Sequence, residues 1–216
     1  MSLFKPYLGK PVAIDVTDYR GMTGVLIDIG EDYLVVHRDS SYYYIALHHL
    51  HLLTADLDTQ TTTSSVPRWT ASGSDFNSLL QTALGEFVAL YITGQQTLYG
   101  QILHIKDDYI VLDTVRHHIS YIPTFHIKWF SPAAAEGFLD KDASLLADPH
   151  LLKQTWQEQL KTCAGTIVVL DLGLRTNQVG RVQAVEGGII ELITPDSLSK
   201  CWHSAHIKSI HKPGRA

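Results

Sequence analysis

The chain has 216 residues, a formal net charge of −5 and an isoelectric point near 6.1, which excludes the basic footprint that usually marks nucleic-acid-binding domains. No run approaches the roughly 18–20 apolar residues of a membrane span, and Met1 to Pro6 carry no apolar run of signal-peptide length, so synthesis in the cytoplasm is expected. Cys163 and Cys201 are too few for a disulfide framework and read as ordinary thiols.

Repetition organises the chain. Gly9, Gly24 and Tyr33 recur 76 residues later as Gly85, Gly100 and Tyr109, and a further 80 on as Gly165, Gly180 and Ile189. A fixed period means one module used three times. Modules this small are marginal alone, so the copies are expected to pack on one another or on other chains.

Each copy opens with an alternating strand, through Val12, Ile14 and Val16, then Val88, Leu90 and Ile92, then Val168, Leu170 and Leu172. Period-two spacing predicts one buried face. A second strand follows Gly24, Gly100 and Gly180, with Val25, Ile27 and Ile29 expected to match Ile102 and Ile105, and Val182 and Val185. Two-residue polar tips come next, Glu31-Asp32, Asp107-Asp108 and Gly187-Gly188, residue types that tolerate the left-handed backbone of a tight hairpin. As paired acids for catalysis they would be adjacent on an exposed turn, with nothing to separate their pKa values. The third strands start at Tyr33, Tyr109 and Ile189, and the fourth run into phrases with aligned histidines: His49, His126 and His206.

Short strands punctuated by glycine and turn signals predict a small, bent sheet closing into a barrel. Helices are expected ahead of copies two and three. The first has Phe76, Leu79, Leu80 and Ala83 on one stripe and Ser72 or Ser74 as N-cap. The second starts at Asp148-Pro149 and carries Leu152, Trp156 and Leu160. The tracts Thr59 to Ser65 and Ser131 to Gly137 read as linkers. The predicted division is repeat one over 1–54, a linker over 55–72, helix and repeat two over 73–131, a linker over 132–147, and helix and repeat three over 148–216.

A helix followed by five bent strands with a glycine in the second resembles the Sm-like barrel. More narrowly, Asp107-Asp108-Tyr109, the Asp75 to Leu79 string and the closing phrase His206-Ile207-Lys208-Ser209-Ile210 resemble the repeats of the bacterial spore coat protein B family. The phrase is partial at His126 to Phe130 and degenerate at His49 to Leu53. The resemblance runs from about Leu8 to His211 and departs from the family in lacking its Arg-Gly-Gly-Pro-Glu segment and its Ser/Lys-rich tail. It implies a mainly β fold of three tandem Sm-like barrels, deposition on the spore coat after synthesis in the mother cell, other coat proteins as partners, and self-association.

The chemistry-bearing residues have plain alternatives. Gly24, Gly100, Gly180, His49, His126 and His206 form the repeat signature, with the histidines expected to order a strand junction or, in the alternative, to line a nucleobase-binding pore. His48, His49 and His51, with His117 and His118, have no carboxylate or cysteine at ligand spacing, and no metal or cofactor is expected. Tyr42, Tyr43 and Tyr44, with Trp129, Phe130 and Trp202, lack interleaved basic residues and are expected in the core and between copies rather than as a stacking platform. No catalytic motif occurs. A non-enzymatic coat assembly protein is the expectation, acting through edge strands, and an RNA-binding ring-forming regulator the alternative; neither a membrane nor a nucleic-acid partner is expected.

Overall fold

A computed structural model describes residues 3–56, 59, 66–69, 75–94, 96–134, 149–173, 175 and 178–213. The fold is mainly β, with antiparallel strands and two short helices, and each helix precedes a run of five strands as the sequence predicts. Two compact units result, residues 1–98 with 127–134 and residues 99–126 with 135–216. The copies are units of repetition, and the compact units are units of packing.

In the first unit β1 (Pro11–Val16), β2 (Tyr19–Ile29), β3 (Tyr33–Arg38) and β4 (Ser41–Ala46) follow one another, and a 3-10 turn at Leu47–His49 leads into β5 (Leu50–Ala55). Helix α1 (Phe76–Thr82), β6 (Phe87–Thr93) and β10 (Trp129–Pro132) complete it. The strand order is β6-β10-β4-β3-β2-β1-β5. Val12, Ile14 and Val16 are buried on one face of β1, as alternation predicts. In β6 both faces are buried, because Tyr91 stacks on Trp129 of β10 with ring centroids 5.6 Å apart. Alternation is lost where a strand has protein on both sides.

The second unit holds most of β7 (Gln96–Ile105), then β8 (Tyr109–Thr114) and β9 (His118–Pro123) with a 3-10 turn at Thr124–His126. Helix α2 (Trp156–Lys161), β11 (Ile167–Leu170), β12 (Val179–Glu186), β13 (Ile189–Ile193), β14 (Ser199–His203) and β15 (Ile210–His211) follow. Its order is β14-β13-β12-β11-β15-β9-β8-β7. Trp156, Leu160, Val168, Leu170, Val182, Ile190, Leu192 and Ile207 share one core with Tyr109 and Val111.

Several local expectations are corrected. The buried face of β2 is Met22 and Leu26, while Val25, Ile27 and Ile29 are only half-buried. Val25 lies on the face opposite Leu26 by simple alternation, and a register shift then follows Leu26, as it follows Ile102 in β7 and Val182 in β12. A bulge inserted two residues past each aligned glycine flips the alternation. Gly187 and Gly188 adopt the left-handed backbone of a tight hairpin, but neither Asp32 nor Asp108 does. The cap of α1 is Asp75, whose carboxylate accepts from the Ser78 N–H at 2.8 Å; Ser72 and Ser74 lie outside the described residues.

Helix α2 starts later than predicted, capped by Thr155, and Pro149 opens a separate 3-10 turn ending at Leu151; Asp148 is outside the described residues. Strand β11 stops at Leu170, because Asp171 and Leu172 both take positive φ. Ser131 and Pro132 belong to β10, opposite Ala89 and Val88, rather than to a linker. Of the Thr59 to Ser65 tract only Thr59 is described, its hydroxyl donating to Asp56 at 2.6 Å. No helix among the described residues is long and apolar enough to cross a membrane.

Candidate functional site

The feature that recurs is a junction, in which the fifth strand of one copy pairs with the fourth strand of the copy before it. In the first unit β10 lies antiparallel on β4, with Trp129 opposite Ile45 and Phe130 opposite Tyr44. The two aromatic-rich runs meet as the sequence expects. Phe130 stacks on Tyr44 at 5.0 Å, Trp129 packs edge-on against Tyr43 at 5.2 Å, and Phe76 of α1 sits edge-on to Phe130 at 5.5 Å. Such pairs add about 0.5–1.5 kcal/mol each beyond burial. Burial pushes the Tyr44 phenol up to about 12, against the N–H that Trp69 donates to its oxygen at 2.9 Å.

Lys128, in the same junction, is almost wholly buried. Its ammonium donates to the Ile92 carbonyl, sits 3.7 Å from the Asp18 carboxylate and lies 5.5 Å from the centre of the Tyr91 ring. A buried cation requires such partners.

The second unit repeats the junction with β15 on β9, Ile210 opposite Tyr121 and His211 opposite Ser120. Here the ring of His211 packs against that of His117, centroids 4.7 Å apart. His211 Nδ1 and His117 Nε2 are buried without a hydrogen-bond partner among the described residues. Burial first, and then His117, push His211 down to about 4, and burial lowers His117 as well.

The hairpin tips tie each junction to a helix. The Asp32 backbone carbonyl accepts from Leu47 N–H, which opens the 3-10 turn, while its carboxylate accepts from Phe76 N–H, the first of α1, at 2.6 Å. Asp108 does the same one copy later, accepting from Thr124 N–H through its backbone carbonyl and from Trp156 N–H, the first of α2, at 2.6 Å. These tips join one copy to the helix of the next, a role that turn propensity alone did not reveal. The signal available in the sequence was the carboxylate at the same place in both tips that precede a helix, and its replacement by glycine in the third. Asp32→Ala and Asp108→Ala should each destabilise the protein by about 1–2 kcal/mol through loss of a helix-start acceptor. Urea denaturation of the two variants measures this, and unchanged midpoints would remove the linking role.

The repeat signature splits into parts that recur and parts that do not. A Cβ built on Gly24 would lie 2.5 Å from Val36 Cγ1 and 2.6 Å from the His37 carbonyl oxygen. One on Gly180 would lie 2.7 Å from the Ile193 oxygen, and one on Gly100 would come closer still to the Asp113 oxygen. The three glycines therefore share one steric role, clearance where strand two lies against strand three.

The aligned histidines share a backbone position, the last residue of a 3-10 turn, but not an environment. His49 is buried, its carbonyl accepting from Thr17 N–H at 3.0 Å. His126 Nε2 donates to the Ala205 carbonyl at 3.0 Å. His206 is exposed, its ring 5.8 Å from that of His203. Two residues beyond each, the chain reaches back towards its own copy. His51 Nε2 lies 3.1 Å from the Thr17 hydroxyl, and Lys208 N–H donates to the buried Asp171 carboxylate at 2.7 Å. Burial is the larger influence on Asp171 and raises its pKa, opposed by those hydrogen bonds.

No three histidine, cysteine or acidic residues gather as metal ligands among the described residues. Cys163 is buried and Cys201 exposed, and neither is in a disulfide.

Comparison with known proteins follows the same division of the chain. The family model for the YwrJ third domain matches residues 155–210, from the cap of α2 to the start of β15. The chain is 30% identical over 219 residues to the uncharacterized protein YwrJ of Bacillus subtilis (strain 168), covering 96% of this chain and 97% of that protein. It is 28% identical over 120 residues to spore coat protein B of the same strain, covering 54% of this chain and 31% of the coat protein.

Proposed function

The chain belongs to the YwrJ family, and we propose that it is a non-enzymatic structural component of the bacterial endospore coat, held there by strand-edge contacts with coat proteins. The observation that carries this reading is the similarity to spore coat protein B over 120 residues. Its mechanical side draws on the two junctions, β10 on β4 and β15 on β9, in which one copy completes the sheet of another. Each copy is read as a Sm-like barrel, small and bent, whose fourth and fifth strands are offered to neighbours rather than to each other. Open strand edges pair readily, and heterologous pairing suits an extended layer.

The net charge of −5 gives no support to phosphate binding, so the RNA-binding alternative has no observation in its favour. Synthesis in the mother cell and deposition on the forespore follow from the coat reading. The test is a fluorescent fusion expressed from its own promoter and followed through sporulation. A shell around the forespore that persists on the released spore is expected. Diffuse signal in vegetative cells, with recovery of bound RNA, would overturn the proposal in favour of the regulator.

A further inference from the structure

Among the described residues, strand β5 ends the order of the first unit and is paired only with β1, while β14 ends that of the second unit and is paired only with β13. One is a fifth strand and the other a fourth strand, the two halves of the junction made twice within the chain. We propose that β14 of one molecule pairs antiparallel with β5 of a second copy of this chain, making the same junction a third time. This names the partner within the assembly reading, on which it rests.

The register is fixed by the two junctions already formed. Phe130, four residues after His126, faces Tyr44, five before His49. Ile210, four after His206, faces Tyr121, five before His126. Carried to the free strands, the same offset sets Leu53, four after His49, against Cys201, five before His206, and places Thr54 against Lys200. The free strands match in length closely enough for this pairing, Leu50–Ala55 and Ser199–His203.

The surface of β5 supports it, whereas β14 carries one lysine, Lys200, held 3.7 Å from Asp196. Edges of monomeric proteins are commonly blunted by lysine, proline or bulges. Strand β5 carries no charged residue and no proline, and its Leu52 is 55% exposed. At the hairpin tip of copy three, Gly188 stands where Asp32 and Asp108 accept from the first N–H of α1 and α2, and a Cβ there would meet His203 Nε2 and Ser204 Oγ at an ordinary 3.7 Å. Copy one presents a single 3-10 turn, Lys5–Tyr7, ahead of β1 among the described residues, and no α-helix that would need such a cap. The carboxylate is missing at the tip that would meet copy one, where no helix awaits it.

The experiment mixes two full-length variants under mild oxidation, T54C/C201S and K200C/C201S. Directly opposed residues of an antiparallel pair lie about 4.5–5.5 Å apart at Cα, within disulfide range. A disulfide-linked dimer is expected at a yield at least about tenfold above that of T54C/C201S mixed with the unaltered chain, whose Cys201 is one residue out of register and on the opposite face. Equal yields, no dimer, or a link formed within one T54C/K200C/C201S molecule would overturn the pairing. Sedimentation of the unaltered protein must also show concentration-dependent self-association, and a strict monomer would overturn it as well. A monomer that still forms a shell on the spore would sink this inference and leave the coat reading intact, whereas pairing in vitro with diffuse signal in vivo would do the reverse.

Discussion

Gly100→Ala should cost about 3 kcal/mol or more. The added Cβ would run into the Asp113 carbonyl and lie 2.9 Å from Thr114 Cα. Both obstacles are backbone atoms of β8, so no change of rotamer relieves them. The strands must separate where Gly100 faces Thr114 and Gln101 faces Asp113. Gly85→Ala is the matched control. Gly85 has φ +79 and nothing within 4 Å of an added Cβ, so its cost is limited to the left-handed backbone, roughly 1–2 kcal/mol. Urea midpoints of the two variants should differ clearly, and equal losses would refute the steric role assigned to Gly100.

That contrast shows what repetition in a sequence can and cannot reveal. Gly85 and Gly100 both belong to the aligned triplet, and the alignment alone does not say that one serves backbone conformation and the other clearance. The helix before copies two and three and the buried face of β1 follow from local periodicity, which is where a sequence speaks most directly, whereas the fifth strand of each copy came only with the family resemblance. In β2 the expected match set Val25, Ile27 and Ile29 beside Ile102, whereas the 76-residue period pairs Ile102 with the buried Leu26, and nothing in the residue types around Leu26 announces the bulge that follows it. The start of α2 was misread because Pro149 suits the first turn of either an α-helix or a 3-10 helix.

The junctions were legible in outline and hidden in detail. Aromatic residues in β4 and β10 were expected between copies, and Tyr44 does meet Phe130. Which strand meets which, and in what register, depends on contacts far apart in sequence, and so do the Asp32 and Asp108 carboxylates that accept from α1 and α2. The histidines mislead in the opposite way. His49, His126 and His206 align because the 3-10 turn recurs, while a pair outside that alignment, the half-buried His117 and the buried His211, sits at the β9–β15 junction.

That pair should make the second unit acid-sensitive. His211 has a folded-state pKa of about 4 against 6.5 for the ordinary side chain. Its neutral form is the one the fold accepts, so between these values the unfolded chain binds more protons than the folded one. Stability then rises with pH across that window and is lost as pH falls from about 6.5 towards 4. From this single group the protein should lose about 2 kcal/mol between pH 7 and pH 5. His117, also lowered by burial, acts in the same direction. The loss belongs to the β9–β15 junction, because a charged His211 would repel a charged His117 while its Nδ1 has no acceptor. Denaturation of the unaltered chain and of His211→Phe at pH 7 and pH 5 tests this. The substitution should flatten the pH dependence by about 2 kcal/mol, whatever it does to stability at pH 7, because phenylalanine removes the proton and keeps a ring against His117. Parallel pH profiles in the two proteins would show that the acid response arises elsewhere.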